Sequence, residues 1–308
     1  MSQTETAPAE TTKWPPKARN RKATRAPNPP LLRRDLNLQL DPDAIPRVWY
    51  RGSPQLTALM NGLSLLFPKG EQFFVASVRR YRNKLTDPEL RAQVEGFIAQ
   101  EAMHGKEHRA FNRLLEAHGH RLAPKLEREV AALLKLASRR LPHQVQLAVT
   151  CALEHFTAIL AEQLLSDESH HSAVHEGIRP LWLWHALEES EHRAVAFDVY
   201  EAIGGGYVVR AATMVGTTLI FFAVATGNQL RLLRASGELY QVKSWARAMN
   251  IMWFSPGLFR QLIVPYLEYF RPDFHPAKRD TQGLLATWEQ RLFGEGGLLA
   301  NATITQVS

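Results

Sequence analysis

Twice along this chain a lone glutamate is followed, about one helix and its return later, by a Glu-x-x-His pair. The first set is Glu71 then Glu101-x-x-His104, and the second is Glu154 then Glu189-x-x-His192, with internal separations of 30 and 35 residues. Each of these residues lies on a face that should be buried. Successive helical residues turn by about 100°, so Glu101, His104 and His108 share a stripe with Phe97, Ile98 and Phe111. His185, Glu189 and His192 fall in line with Leu181 and Ala196, Glu154 with Leu147, Ala158 and Leu165, and Glu71 beside Phe74, Val75 and Val78. Ionisable groups inside apolar stripes are costly unless something pairs with them, and divalent cations are one solution. Buried ion pairs bracing a long bundle are the other.

The surrounding pattern is helical. Thr86-Asp87-Pro88-Glu89 reads as a capping box with proline at the first turn, and Gly119 reads as a stop, which predicts a helix about 45 Å long. Further helices are expected over 71–84, 125–140, 142–166 and 180–203, and no alternating run with hairpin turns suggests a sheet. The expected fold class is all-α. Two single carboxylates and two Glu-x-x-His pairs, one from each of four helices, are the ligand order of a ferritin-like long-helix bundle with a dinuclear metal centre. Extra C-terminal hydrophobic helices complete the expected organisation: a disordered basic tail over 1–44, a metal-binding bundle over 45–205, and a hydrophobic helical segment over 206–308 packed on the bundle.

Composition matters at two points. The formal net charge of +7 belongs almost entirely to residues 1–34, which hold eight basic and two acidic side chains. The body is therefore near neutral, and no specific nucleic-acid partner is expected. The tail reads as a solvated leader, with weak contact to anionic lipid or nucleic acid as its other use, and it lacks the apolar core of a secretory signal. The sole cysteine, Cys151, excludes thiolate-rich metal sites and disulfides, which fits a cytoplasmic protein. Residues 211–230 carry no charged side chain, but their threonines, Asn228 and Gln229 weaken a membrane span. A buried or dimer-forming helix is the first reading, with a homodimer as the expected assembly, and peripheral membrane contact is the second. The aromatic stretch 251–270 is read as packing.

Three segments carry a family resemblance: Gln100-Glu101-Ala102-Met103-His104-Gly105-Lys106-Glu107-His108, Ala152-Leu153-Glu154-His155-Phe156, and Trp184-His185-Ala186-Leu187-Glu188-Glu189-Ser190-Glu191-His192 running into Val195-Ala196-Phe197-Asp198. They resemble the predicted metal-dependent hydrolase family of bacteria over roughly residues 45–280. The run His185-x3-Glu189-x2-His192 is also similar to di-iron N-oxygenases, and that resemblance implies His185 as a seventh ligand. His108 is a further candidate ligand or a donor behind the ligands.

The expected ligands are thus Glu71, Glu101, His104, Glu154, Glu189, His192, His185 and His108, and Glu188 is the candidate catalytic base. Four carboxylates balance two divalent cations, and an O/N donor set suits two iron ions, with manganese or mixed iron and manganese also compatible. Three functions follow. The first is a dinuclear non-haem iron oxygenase or oxidase that uses O2 on a small, apolar organic substrate. The second is a hydrolase, with zinc, in which a metal-activated water is the nucleophile. The third is a non-catalytic metal-binding bundle. Glu168-Ser169-His170-His171 repeats the motif without an apolar stripe and is read as a solvated turn. Cys151 and His155 are read as packing residues, and Arg79, Arg80, Arg82 and Arg109 as surface or carboxylate-orienting groups.

Overall fold

The computed structural model describes residues 30–307, so the expected leader lies outside the described residues as far as residue 29. The rest of the segment assigned to that tail is structured. Strand β1 (Leu32–Asp35) pairs antiparallel with a C-terminal strand, β2 (Thr303–Gln306), in a register that sets Leu32 opposite Gln306 and Asp35 opposite Thr303. Leu31 packs onto Gly96, where a Cβ would lie only 2.5 Å from the Leu31 Cβ. The glycine lets this N-terminal strap press against the helix beneath it. This two-stranded ribbon is the departure from a purely helical fold, and it corrects the boundary drawn at residue 44.

Between the strands the chain is mostly helical: α1 (Pro54–Ser64), α2 (Phe67–Arg79), α3 (Pro88–Ala117), α4 (Ala123–Arg140), α5 (His143–Ser166), α6 (Glu168–His171), α7 (Arg179–His192), α8 (Val195–Ala202), α9 (Tyr207–Ala235), α10 (Val242–Trp253), α11 (Leu258–Glu268) and α12 (Gln282–Phe293). The ends of α3 are where local chemistry puts them. Asp87 accepts from the Glu89 and Leu90 amides, Pro88 opens the first turn, and Gly119 takes the left-handed conformation (φ +84°) just beyond the last turn. One expected helix is divided: the run 180–203 breaks after His192 into α7 and α8, with Arg193 bonded to the Arg279 carbonyl at the break.

Four helices enclose the centre of the molecule. α2 packs on α3, α3 on α7, α7 on α5, and α5 on α2, closing a ring. One apolar cluster, containing Phe111, Trp182, Trp184 and Leu187, fills one side of the ring, and a second, containing Val94, Phe97, Leu147 and Val199, fills the other. The polar site lies between them. α9 lies outside the ring against α1 and α5, and approaches α1 closely where the position of a Gly62 Cβ would fall 3.3 Å from the Asn228 Cβ. Its inner face is polar as well as apolar: Thr217, Asn228 and Gln229 are buried there, and Gln229 donates to the Gln55 carbonyl. The outer face of α9 is solvent-exposed, so residues 211–230 are not buried on all sides within the chain, and the buried half of the expected buried or dimer-forming helix does not hold.

Candidate metal centre

The four helices of the ring each deliver what the motif order assigns to them: Glu71 from α2, Glu101 and His104 from α3, Glu154 from α5, and His185, Glu189 and His192 from α7. None of the seven is more than 4% exposed. Their ligand atoms converge in three overlapping triads, each with its atoms within 4.8 Å of one another: Glu71 with His104 and His185, Glu101 with His104 and Glu189, and Glu101 with Glu154 and His192. Glu101 and Glu189 are common to both sides. Glu189 sets one oxygen 3.5 Å from His104 Nδ1 and the other 3.6 Å from His192 Nε2, while Glu101 Oε1 lies 3.9 Å and 3.2 Å from the same two nitrogens.

The inward-facing atoms lack partners. Both oxygens of Glu71, Glu101 and Glu154, Glu189 Oε2, His104 Nδ1 and His192 Nε2 are buried without a hydrogen bond among the described residues. Buried polar atoms are paired in the great majority of cases. A concentration of unpaired oxygens and nitrogens at one point is the signature of a site shaped for a cation.

The outward-facing atoms are fully engaged, and their partners fix where the histidine protons are. Gln100 donates through Nε2 to the Leu32 carbonyl and to Glu191, so its Oε1 accepts from His192 Nδ1 at 3.0 Å. Glu188 accepts from His104 Nε2 at 3.0 Å and is held in turn by Arg34, whose guanidinium also clamps Glu191 with two bonds. With each outer nitrogen committed as a donor, the inner nitrogen of a neutral ring presents its lone pair to the carboxylates. Aromatic edges hold the rings in place: Trp184 meets His104 at 4.9 Å and Phe97 meets His192 at 5.0 Å between centroids.

A third chain runs outward from His185. Asn112 Nδ2 donates to the Ser64 carbonyl and to Glu127, so its Oδ1 must accept the Ser64 hydroxyl proton (2.7 Å). Ser64 Oγ can then only accept from His108 Nδ1 (2.9 Å), and His108 Nε2 from His185 Nδ1 (2.6 Å). A neutral His185 is left with a lone pair on Nε2, which faces Glu189 Oε1 at 2.9 Å. Two acceptors at that distance require a cation or an extra proton between them. His108, expected as a possible ligand, is in none of the triads; both its nitrogens are used by Ser64 and His185, which places it one step behind.

The electrostatics say the same. Burial, reinforced by neighbouring carboxylates, pushes Glu71 and Glu101 well above the ordinary range, and burial pushes Glu154 up to about 8. Burial alone would raise Glu189 too, but the facing imidazoles of His185 and His192 hold it well below. Burial lowers His104 and His108 well below the usual imidazole value, whereas for His192 the carboxylates of Glu154 and Glu189 outweigh burial and push it up to about 9. The protein alone thus neutralises the cluster with protons. Divalent cations would release them.

Three contributors were missed by sequence reasoning. Arg34 sits among the basic residues of the leader, yet it is buried against Glu188 and Glu191. Gln100 carries no charge to mark it. Gly105 leaves the space into which Glu71 reaches: a Cβ there would stand 2.9 Å from Glu71 Oε2. Glu188 lies on the far side of His104 from the unpaired oxygens, with Oε1 on Arg34 and Oε2 on His104, which is a poor place for the proton acceptor expected of it. The Glu168–His171 repeat forms the short α6 and joins no triad; His170 bonds Arg51 and Ser169 instead. His155 donates to the Pro265 carbonyl and packs on Tyr269, as a packing residue should. A smaller group, Asp198, Glu201 and His275, lies apart at the surface.

A mostly helical protein with a buried cluster of metal-binding glutamates and histidines is the class that fold and site define. The chain belongs to the predicted metal-dependent hydrolase family, whose family model matches residues 32–280 and therefore takes in β1 and Arg34. That membership makes it a metal-dependent enzyme by class. Comparison with curated proteins and with solved structures gives no match.

Proposed function

We propose that Glu71, Glu101, His104, Glu154, Glu189, His192 and His185 hold two divalent metal ions in a ferritin-like dinuclear centre, and that the enzyme uses it to oxidise a small organic substrate with O2. One observation carries this reading: the outer nitrogen of each ligating histidine is fixed as a donor by a protein acceptor, while the inner nitrogens of His104 and His192 and both oxygens of Glu71, Glu101 and Glu154 face one another without partners, and His185 Nε2 faces Glu189 Oε1. Four carboxylates match the charge of two divalent ions. Glu101 and Glu189, each within 4 Å of both His104 and His192, would serve both halves of the site.

Two iron ions would supply the electrons for O2 reduction, and a carboxylate-rich O/N set without thiolate suits iron or manganese. The chain's own part is positioning. Burial raises Glu188 to about 7 and Arg34 opposes that rise, while Glu188 orients His104 and Gln100 orients His192. The aromatic rings of Phe97, Trp184 and Phe67 exclude water from the imidazoles. Glu188 is a positioning residue in this account.

The family's description favours a second reading, hydrolysis. It would need a proton acceptor other than Glu188, whose two oxygens are engaged. The experiment that separates the readings is anaerobic loading with ferrous iron followed by air. Near-ultraviolet charge-transfer absorption that is lost in His192→Ala supports the oxidative reading. Retention of zinc, indifference to O2, and cleavage of ester or amide substrates by the zinc form would replace it with the hydrolytic one.

A further inference from the structure

We infer that the outer face of α9 and α11 is a docking surface for an anionic lipid bilayer, on which the protein lies without spanning it. The inference is independent of the metal centre. Along α9 the exposed positions Val208, Ala212, Val215, Leu219, Phe222 and Leu230 follow a helical repeat, with Val208 75% and Leu219 69% exposed. This stripe is about 33 Å long at 1.5 Å per residue.

The stripe continues onto α11. Phe156 of α5 stacks on both Phe221 of α9 (5.1 Å) and Tyr266 of α11 (5.7 Å), and Thr218 bonds the Tyr266 hydroxyl at 3.0 Å. The two helices therefore lie side by side over α5, and their outward residues share one side of the molecule. On α11 those residues are Ile263, Val264 and Leu267, and at the preceding turn Phe254 is 72% exposed. Contiguous apolar surface of this extent on a folded protein marks a contact surface.

Three features select lipid as the occupant. A helical dimer seam is narrow and flanked by charged positions, but between Arg210 and Arg231 α9 has no charged residue on any face. Within 207–267 every exposed charged residue is basic, namely Arg234, Lys243, Arg247 and Arg260, so the rim complements anionic headgroups. A second copy docking by the same surface would bring like charges together. Spanning is excluded by the inner face of α9, which is packed on α1 and α5 through buried Thr217, Asn228 and Gln229. The arrangement is an apolar face with an aromatic and a basic edge, as interfacial helices have.

The test is co-flotation of the full chain with vesicles of phosphatidylcholine, with and without phosphatidylserine, at low and high salt. The expected result is binding that requires phosphatidylserine, weakens with salt, and shifts tryptophan emission to the blue through Trp253. Removing Arg247 or Arg260 should weaken it about fivefold each, and Leu219→Glu with Val264→Glu should abolish it while helical content and metal content are unchanged. Because these two positions are exposed, the double variant should fold. Binding retained in it would assign the lipid contact to another part of the chain and overturn the proposal. So would failure of the native chain to float with anionic vesicles, or a dimer in solution that the double variant splits into monomers.

Discussion

The ring of α2, α3, α5 and α7 and the outer layer of α9 to α11 invert the usual arrangement of a protein in opposite ways. Inside the ring, carboxylates and imidazoles are buried with their facing atoms unpaired. On the outer layer, valines, leucines and phenylalanines are exposed among the described residues. Each region is a poor solution for a chain alone in water, and each is proposed to meet something that is not protein: divalent cations in the first, a lipid surface in the second. The contrast teaches how differently the two demands are built. The centre is specified atom by atom, down to which histidine nitrogen holds its proton, whereas the outer face is specified only by the sign of its rim and the apolarity of its stripe.

The largest effect should come from emptying the centre. A metal present at about a thousandfold over its Kd adds about 4 kcal/mol, so chelation should lower Tm by roughly 10 °C, measured by calorimetry with and without metal. The stripped protein should also become less stable as pH rises from about 4.5 to about 9. Glu154 and His192 have folded values of about 8 and about 9, above their ordinary values, so folding takes up protons there, and that stabilisation is lost as pH passes through them. The metal-loaded protein should not show this decline. A decline equally steep in both forms would mean that the cluster is not where the metal sits.

Next in size is Arg34→Met, which leaves Glu188 and Glu191 without their cation and should cost about 3 kcal/mol by chemical denaturation. An effect under 1 kcal/mol would return residues 30–44 to the status of a loose leader. Gln100→Ala removes the acceptor that orients His192 and should weaken metal binding by about 10- to 100-fold in chelator competition. Gly105→Ala displaces Glu71 and should act in the same direction with little change in folding. The smallest effect should be Leu219→Glu, within about 0.5 kcal/mol in stability and with unchanged metal content, because it touches only the outer face. A loss of metal in that variant would show that the two regions are coupled.

Much of the centre was legible in the sequence because its signal is local. A glutamate or histidine at a stripe position between leucines and phenylalanines is visible on one helix, and repeating the order made Glu71, Glu101, His104, Glu154, Glu189 and His192 readable as a set. The limits of α3 were legible for the same reason, since Asp87, Pro88 and Gly119 act on their own turns. What was not legible is what depends on distant partners. Arg34 meets Glu188 across 154 positions, and β1 finds β2 at the opposite end of the chain. Glu188 could be seen beside the motif, but only Arg34 and His104 show that its oxygens are already committed. The break between α7 and α8 has no proline or glycine to announce it.

The most direct test is metal analysis of the protein purified without oxygen and saturated with ferrous iron. Two ions per chain are expected, with a loss of bound metal in each of Glu71→Ala, Glu101→Ala, Glu154→Ala and Glu189→Ala, and no loss in Glu168→Ala. Full occupancy in all four glutamate variants, or a native chain that binds none, would contradict the dinuclear centre.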